Sequence, residues 1–145
     1  MNKRRLLKLA DLLEADAKNL KGISFDLMTW ARPSESIDGS YRTKLEKVPV
    51  DCGTSACAVG LACISGAFRR SGLSYVYKRW NEGFYLIPQF GTEGGMKAVQ
   101  SFFGIDRRSA DFLFASDNYP EGKRQGAAAE RFVARRIRDF VSGKF

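Results

Sequence analysis

The chain contains no histidine among its 145 residues. That absence excludes Ser-His-Asp and Cys-His catalysis, histidine metal sites and the usual near-neutral pH switch from within this chain. Cysteine is scarce as well: Cys52, Cys57 and Cys63 are the only three. An odd number, confined to one stretch, is not a disulfide framework. No apolar run reaches the roughly 18 residues that a membrane span needs. Lys8, Asp11 and Glu14 interrupt the leucines near the start, so the opening residues lack the pattern of a signal peptide. The expected setting is cytoplasmic, in a bacterium or an infected host cell, with no membrane partner. Acidic residues are outnumbered 16 to 24, leaving a net charge of +8. That excess suits nucleic acid, an anionic surface or an acidic protein without choosing among them.

A hydrophobic fraction of 44% and this length point to a single globular domain over residues 1–145 with a sizeable core. The expected class is α+β and mostly helical: about six helices around a buried central helix at 55–68, with one β-hairpin at about 74–90. Residues 3–20 read as an amphipathic helix, with Leu6, Ala10, Leu13, Ala17 and Leu20 in one stripe beside Leu9, and Gly22 as a stop. Lys3, Arg4 and Arg5 sit where the helix dipole disfavours cations, which suggests a frayed, solvated end. Ser24 is expected to cap a short helix to about Ala31 that buries Phe25 and Met28, with Pro33 beyond it. Residues 32–49 form a long polar connection pinned by Tyr41 and Leu45.

From Cys52 to Phe68 there is no charged residue, in a chain that is 28% charged. The expected helix here runs from Ser55 to Phe68 with Thr54 as N-cap. A bulky stripe of Cys57, Leu61, Ile64 and Phe68 lies beside a small one of Ala56, Gly60, Cys63 and Ala67, so close neighbours are expected on both faces. Ser74 to Trp80 and Phe84 to Phe90, joined by a three-residue turn at Asn81, Glu82 and Gly83, read as a hairpin. Trp80 and Phe84 are expected to face each other, and Pro88 to place its strand at an edge. Further helices are expected at 96–103, stopped by Gly104, after Asp106, and from Ala127 to Val141.

Chemistry has few candidates. Cys52 precedes the expected helix start, where a thiol pKa can fall. A thiol nucleophile needs a proton acceptor, and without histidine only Asp51 or a basic neighbour is at hand. Packing in a tight turn is the simpler reading, so no catalytic residue is assigned. Cys57 and Cys63 lie six residues apart, about 240° around a helix and roughly 9 Å along it, beyond the disulfide limit of about 7 Å. The spacing fits neither zinc nor iron–sulfur ligation, and no metal or cofactor is expected. The Gly91, Gly94, Gly95 segment lacks a phosphate-loop pattern and carries Glu93 in its middle, which favours a hinge. Arg131, Arg135 and Arg138, with Arg136 adjacent, form a basic helix face suited to phosphates or to an acidic protein. Tyr75, Tyr77 and Trp80 are candidates to stack bases.

The run from Cys52 to Gly60, CGTSACAVG, resembles a group of small uncharacterised proteins of tailed phages and bacteria that share C-G-T-x-x-C-x-x-G. The likeness extends to the leucine-rich first helix, Phe25 to Trp30, Phe102 to Ile105, Leu113 and Phe114, Tyr119 and Pro120, and the closing helix. It departs at Leu61, where many such proteins carry histidine or tryptophan. The resemblance implies a phage or mobile-element setting and brings no activity. The expected function is a small non-enzymatic accessory protein that binds a host or viral protein. Nucleic-acid binding through the arginine face is the alternative, and a thiol enzyme using Cys52 is the third.

Overall fold

The structure is a computed structural model in which residues 1–19, 22–32, 54–80 and 83–144 are described. Of the expected 32–49 loop, Arg32 ends a strand and the remaining residues lie outside the described ones, as do Cys52 and the tip of the hairpin. The class is α+β, with five α-helices and two small three-stranded sheets among the described residues. Helix α1 (Lys3–Lys18) buries Leu6, Leu9, Ala10 and Leu13, as its periodicity predicts. Its start is docked, not frayed. The Asn2 side chain accepts from the Arg5 amide, and the Asn2 amide donates to the Phe103 carbonyl. The Arg5 guanidinium lies 4.3 Å from the Phe102 ring centre and donates to the Phe102 carbonyl. Lys8 sits over Phe68 and donates to the Ala67 carbonyl. Of the three cations at the unfavourable helix end, Arg5 is thus received by an aromatic face and a carbonyl, while Lys3 and Arg4 stay exposed as expected.

The expected helix at 25–31 is not formed. Strand β1 (Ser24–Phe25) and strand β2 (Ala31–Arg32) flank β3 (Ser55–Ala56), parallel on one side and antiparallel on the other. The Ser24 and Asp26 amides donate to the Thr54 and Ala56 carbonyls, and the Asp26 side chain accepts from the Met28 amide. That local turn supplies an alternative to helical bonding. It leaves Met28 67% exposed instead of buried.

The central helix is present but shorter. Its first expected residues are taken by β3, so α2 spans Ala58–Ile64 and the cap is Cys57, whose Sγ accepts from the Gly60 amide, in place of Thr54. Gly66, expected inside the helix, lies beyond its end at φ +73°. Every residue from Ala58 to Cys63 is buried. The close neighbour at the small stripe is not another helix but the backbone of Trp30: a Cβ built on Gly60 would lie 1.5 Å from the Trp30 carbonyl oxygen.

Strands β4 (Leu73–Trp80) and β5 (Gly83–Phe90) form the expected antiparallel hairpin. The register sets Trp80 opposite Gly83 and Phe84 opposite Arg79, so Trp80 and Phe84 are not partners and two residues, not three, join the strands. Pro88 marks where β5 becomes an edge: back from it, β5 pairs with β4 alone among the described strands. A short β6 (Glu93–Gly94) pairs with Gln89 and Phe90. It reaches no further back than the residue after Pro88, whose carbonyl accepts from the Gly95 amide. The missing proline N–H is therefore never required on that side. The expected glycine hinge is thus a strand and the entry to α3 (Met96–Phe103).

Helix α3 ends at Gly104 and α4 (Arg107–Phe114) is capped by Asp106, both as expected. Helix α5 (Gly126–Val141) buries Val133 and Ile137 but leaves Phe140 only half-buried. It packs chiefly on α1, with further contacts to β1 and α4, while the hairpin packs on α2 and α3. One continuous core joins all these elements.

Candidate functional site

Helix α5 places Arg131, Arg135 and Arg138 at spacings of four and three, hence on one stripe. That stripe lies against the last two turns of α1. Glu14 and Lys18 from α1, with Arg131, Arg135 and Arg138 from α5, line a cleft of about 330 Å³. The structure brings together three of the four arginines read from the sequence.

Their charges differ in availability. Arg138 donates through Nε and Nη2 to Glu14, at 2.9 and 3.0 Å, and also to Asp11. The hydrogen bond from Arg138 holds the Glu14 carboxyl below its ordinary range. Both members of the pair are solvent-exposed in part, so it fixes geometry more than it adds stability. Arg131 donates one nitrogen to the Ala17 carbonyl, at 3.2 Å. Lys18 and Arg135 are exposed, and neither forms an ion pair among the described residues. Asp139, four residues after Arg135, faces Lys144 instead, at 3.8 Å. Three cations in one concave site therefore have no carboxylate partner among the described residues.

Arg136 points elsewhere. Its guanidinium lies 3.8 Å from the Tyr119 ring centre and 4.6 Å from that of Phe112. Its Nη1 donates to the carbonyls of Phe112 and Asn118. Such a half-buried guanidinium pins the turn after α4 to α5. The aromatic candidates are also apart from the cleft. Tyr75 and Tyr77 meet edge to face at 5.6 Å on the hairpin, and Trp80 lies on the same strand.

The described cysteines are packing residues. Burial pushes the Cys57 thiol up to about 11 and the Cys63 thiol further still. Cys57 caps α2, and Cys63 Sγ is 3.7 Å from the Ser74 carbonyl. Thiolates at either position are suppressed. In the folded protein at pH 8, iodoacetamide should label Cys57 and Cys63 at least about 100-fold more slowly than in urea. Peptide mass spectrometry reads this directly, and equal rates would contradict the burial. Among the described residues no group of three or more cysteine, aspartate or glutamate side chains is arranged to hold a metal ion. No described helix is long and apolar enough to cross a membrane.

Sequence reasoning missed one feature. Glu130 is only 2% exposed, and burial, with the Asp16 carboxyl beside it, raises its carboxyl to about 9. A signal existed: Glu130, Val133, Ala134 and Ile137 lie at helical spacing, as do Leu9, Leu13 and Asp16. Both acids fall on the apolar stripes of their helices. No protein-family model, curated protein or solved structure matches the chain.

Proposed function

We propose that the protein is a small non-enzymatic binding protein whose α1–α5 cleft receives an acidic segment of a protein partner. The observation that carries this reading is the convergence of Lys18, Arg131 and Arg135, without carboxylate partners among the described residues, in one cleft beside the fixed Arg138–Glu14 pair. Arginine forks suit carboxylates, and a concave basic site focuses attraction on an anionic group. A protein partner is favoured over nucleic acid on geometry. The free cations fill a short cleft and do not form a long track, Arg136 is withdrawn from them, and the aromatic strand packs with a different part of the core. The likeness of the Cys52–Gly60 motif to phage and bacterial proteins supports an accessory role in that setting.

The test is fluorescence anisotropy with a labelled glutamate-rich peptide at about 50 mM salt, where exposed charges are weakly screened. The wild type is expected to bind, and binding should weaken at least tenfold when Lys18, Arg131 and Arg135 are all changed to glutamate. Single-stranded and duplex DNA serve as competitors and are expected to displace the peptide poorly. No binding by the wild type, or equal binding by the variant, would remove the cleft from the proposal. Tighter binding of DNA would replace the acidic segment with nucleic acid.

A further inference from the structure

Two buried side-chain oxygens lack a hydrogen-bond partner among the described residues: Oδ2 of Asp16 and Oε1 of Glu130. They belong to two carboxyl groups on the facing helices α1 and α5, at the level where the next residues also meet, Arg131 donating to the Ala17 carbonyl at 3.2 Å. Two ionised carboxylates in such a place would repel each other and leave their lone pairs unmatched. A single proton resolves both problems. A protonated carboxyl donates to its neighbour, and the pair then carries one charge instead of two.

We infer that Glu130 keeps a proton and donates it to Asp16, latching α1 to α5, so that raising the pH loosens the contact between these two helices. The surroundings isolate the pair. On its own helix Glu130 is followed by Arg131, whose charge works in the opposite direction to that of Asp16. Among the described residues, the Asp16 Oδ1 atom accepts only the long 3.4 Å bond from the Ile23 amide. Strand β1 contributes no titratable group, and the adjoining Asp26 binds the Met28 amide and Gln125. On α4, Asp111 is tied to Arg107 and Arg108 is exposed, as are Glu121 and Lys123 of the turn before α5.

The sign follows from linkage. Glu130 has a folded pKa raised from the ordinary 4.5 to about 9. The stability tied to its proton is fully present below the ordinary value and is lost as pH rises through the folded one. Between those limits the folded state holds a proton that the unfolded chain has released. The folding constant should then fall by up to about tenfold per pH unit. With no histidine in the chain, no imidazole titration overlies this window.

The experiment is urea denaturation of the full chain at pH 6, 7, 8 and 9. The wild type is expected to lose stability steadily over this range. Glu130→Gln keeps a donor for Asp16 and cannot ionise, so its stability should change little between pH 6 and 8, below the range where the buried Cys57 and Cys63 thiols contribute. Asp16→Asn offers Glu130 an amide donor in place of a carboxylate, which lowers its proton affinity and should shrink the slope. Hydrogen exchange at the α1 and α5 amides should quicken with pH, beyond the intrinsic increase, in the wild type alone. A flat wild-type profile, or an undiminished slope in Glu130→Gln, would overturn the latch. Neither outcome depends on what the cleft binds.

Discussion

Replacing Gly60 with alanine should destabilise the protein by about 4 kcal/mol or more, enough to unfold a domain of ordinary stability. In an open helix the same change would gain about 1 kcal/mol, since alanine is the better helix former. Here the added Cβ would lie 1.5 Å from the Trp30 carbonyl oxygen, 2.5 Å from its carbon and 3.2 Å from the Ala56 Cβ. Two of these atoms are backbone, so no side-chain rotation relieves the overlap. Moving the carbonyl away would also break its bond from the Cys57 amide. That bond holds the turn leading into β2 against the cap of α2, and the loss would spread to the β1–β3–β2 sheet. Gly122→Ala provides the control: nothing lies within 4 Å of its Cβ, and a change within about 0.5 kcal/mol is expected there. Circular dichroism and urea denaturation of the two variants check the contrast. A Gly60→Ala protein as stable as Gly122→Ala would show that α2 does not pack against Trp30 as described.

Phe102→Ala is expected to cost about 3–5 kcal/mol. The ring is fully buried and lies edge to face with three others, 5.4 Å from Phe68, 5.4 Å from Phe90 and 4.9 Å from Phe103. It is also the ring nearest the Arg5 guanidinium. Truncation removes buried apolar area, leaves a cavity between α3, β5 and the end of α2, and strips Arg5 of its aromatic cover. Phe102→Leu retains more of the volume, and roughly half the loss is expected for it. The midpoint of urea unfolding reports both values. A loss under about 1 kcal/mol for the alanine variant would mean that the aromatic cluster does not bear on global stability.

The elements that could be read from the sequence are those whose cause is local. Helix α3 runs from Met96 to Phe103 as expected, because its apolar spacing and the glycine at its end are contained in nine residues. Asp106 caps α4 through its own side chain, three residues from the amide it meets. The hairpin was legible from strand-forming residues either side of a turn. The misreadings fall where partners are distant in the chain. Residues 25–31 have helical spacing, yet backbone bonds from this segment go to distant residues, among them Ala56, Cys57 and Arg124. Thr54 is a good capping residue by type, but β3 displaces the helix start to Cys57.

The same division holds for the candidate site. The stripe of Arg131, Arg135 and Arg138 could be read from helical spacing alone. Which of those charges are neutralised depends on Asp11 and Glu14, more than a hundred residues away, and no local pattern reveals it. Arg136 was grouped with them by adjacency, although successive residues on a helix point about 100° apart.

By itself, the amino-acid sequence determined that histidine chemistry is excluded, where four of the five helices and the hairpin lie, and that one face of the last helix is basic. Periodicity, capping and composition are properties of neighbours in the chain. The tertiary structure alone decided that Ser24–Phe25 and Ala31–Arg32 are strands, that Gly60 meets a carbonyl, and that Lys18, Arg131 and Arg135 lie in one cleft without carboxylate partners among the described residues. It also set Asp16 against Glu130. Those features arise from contacts between distant segments, where packing and desolvation outweigh the preference of any single residue.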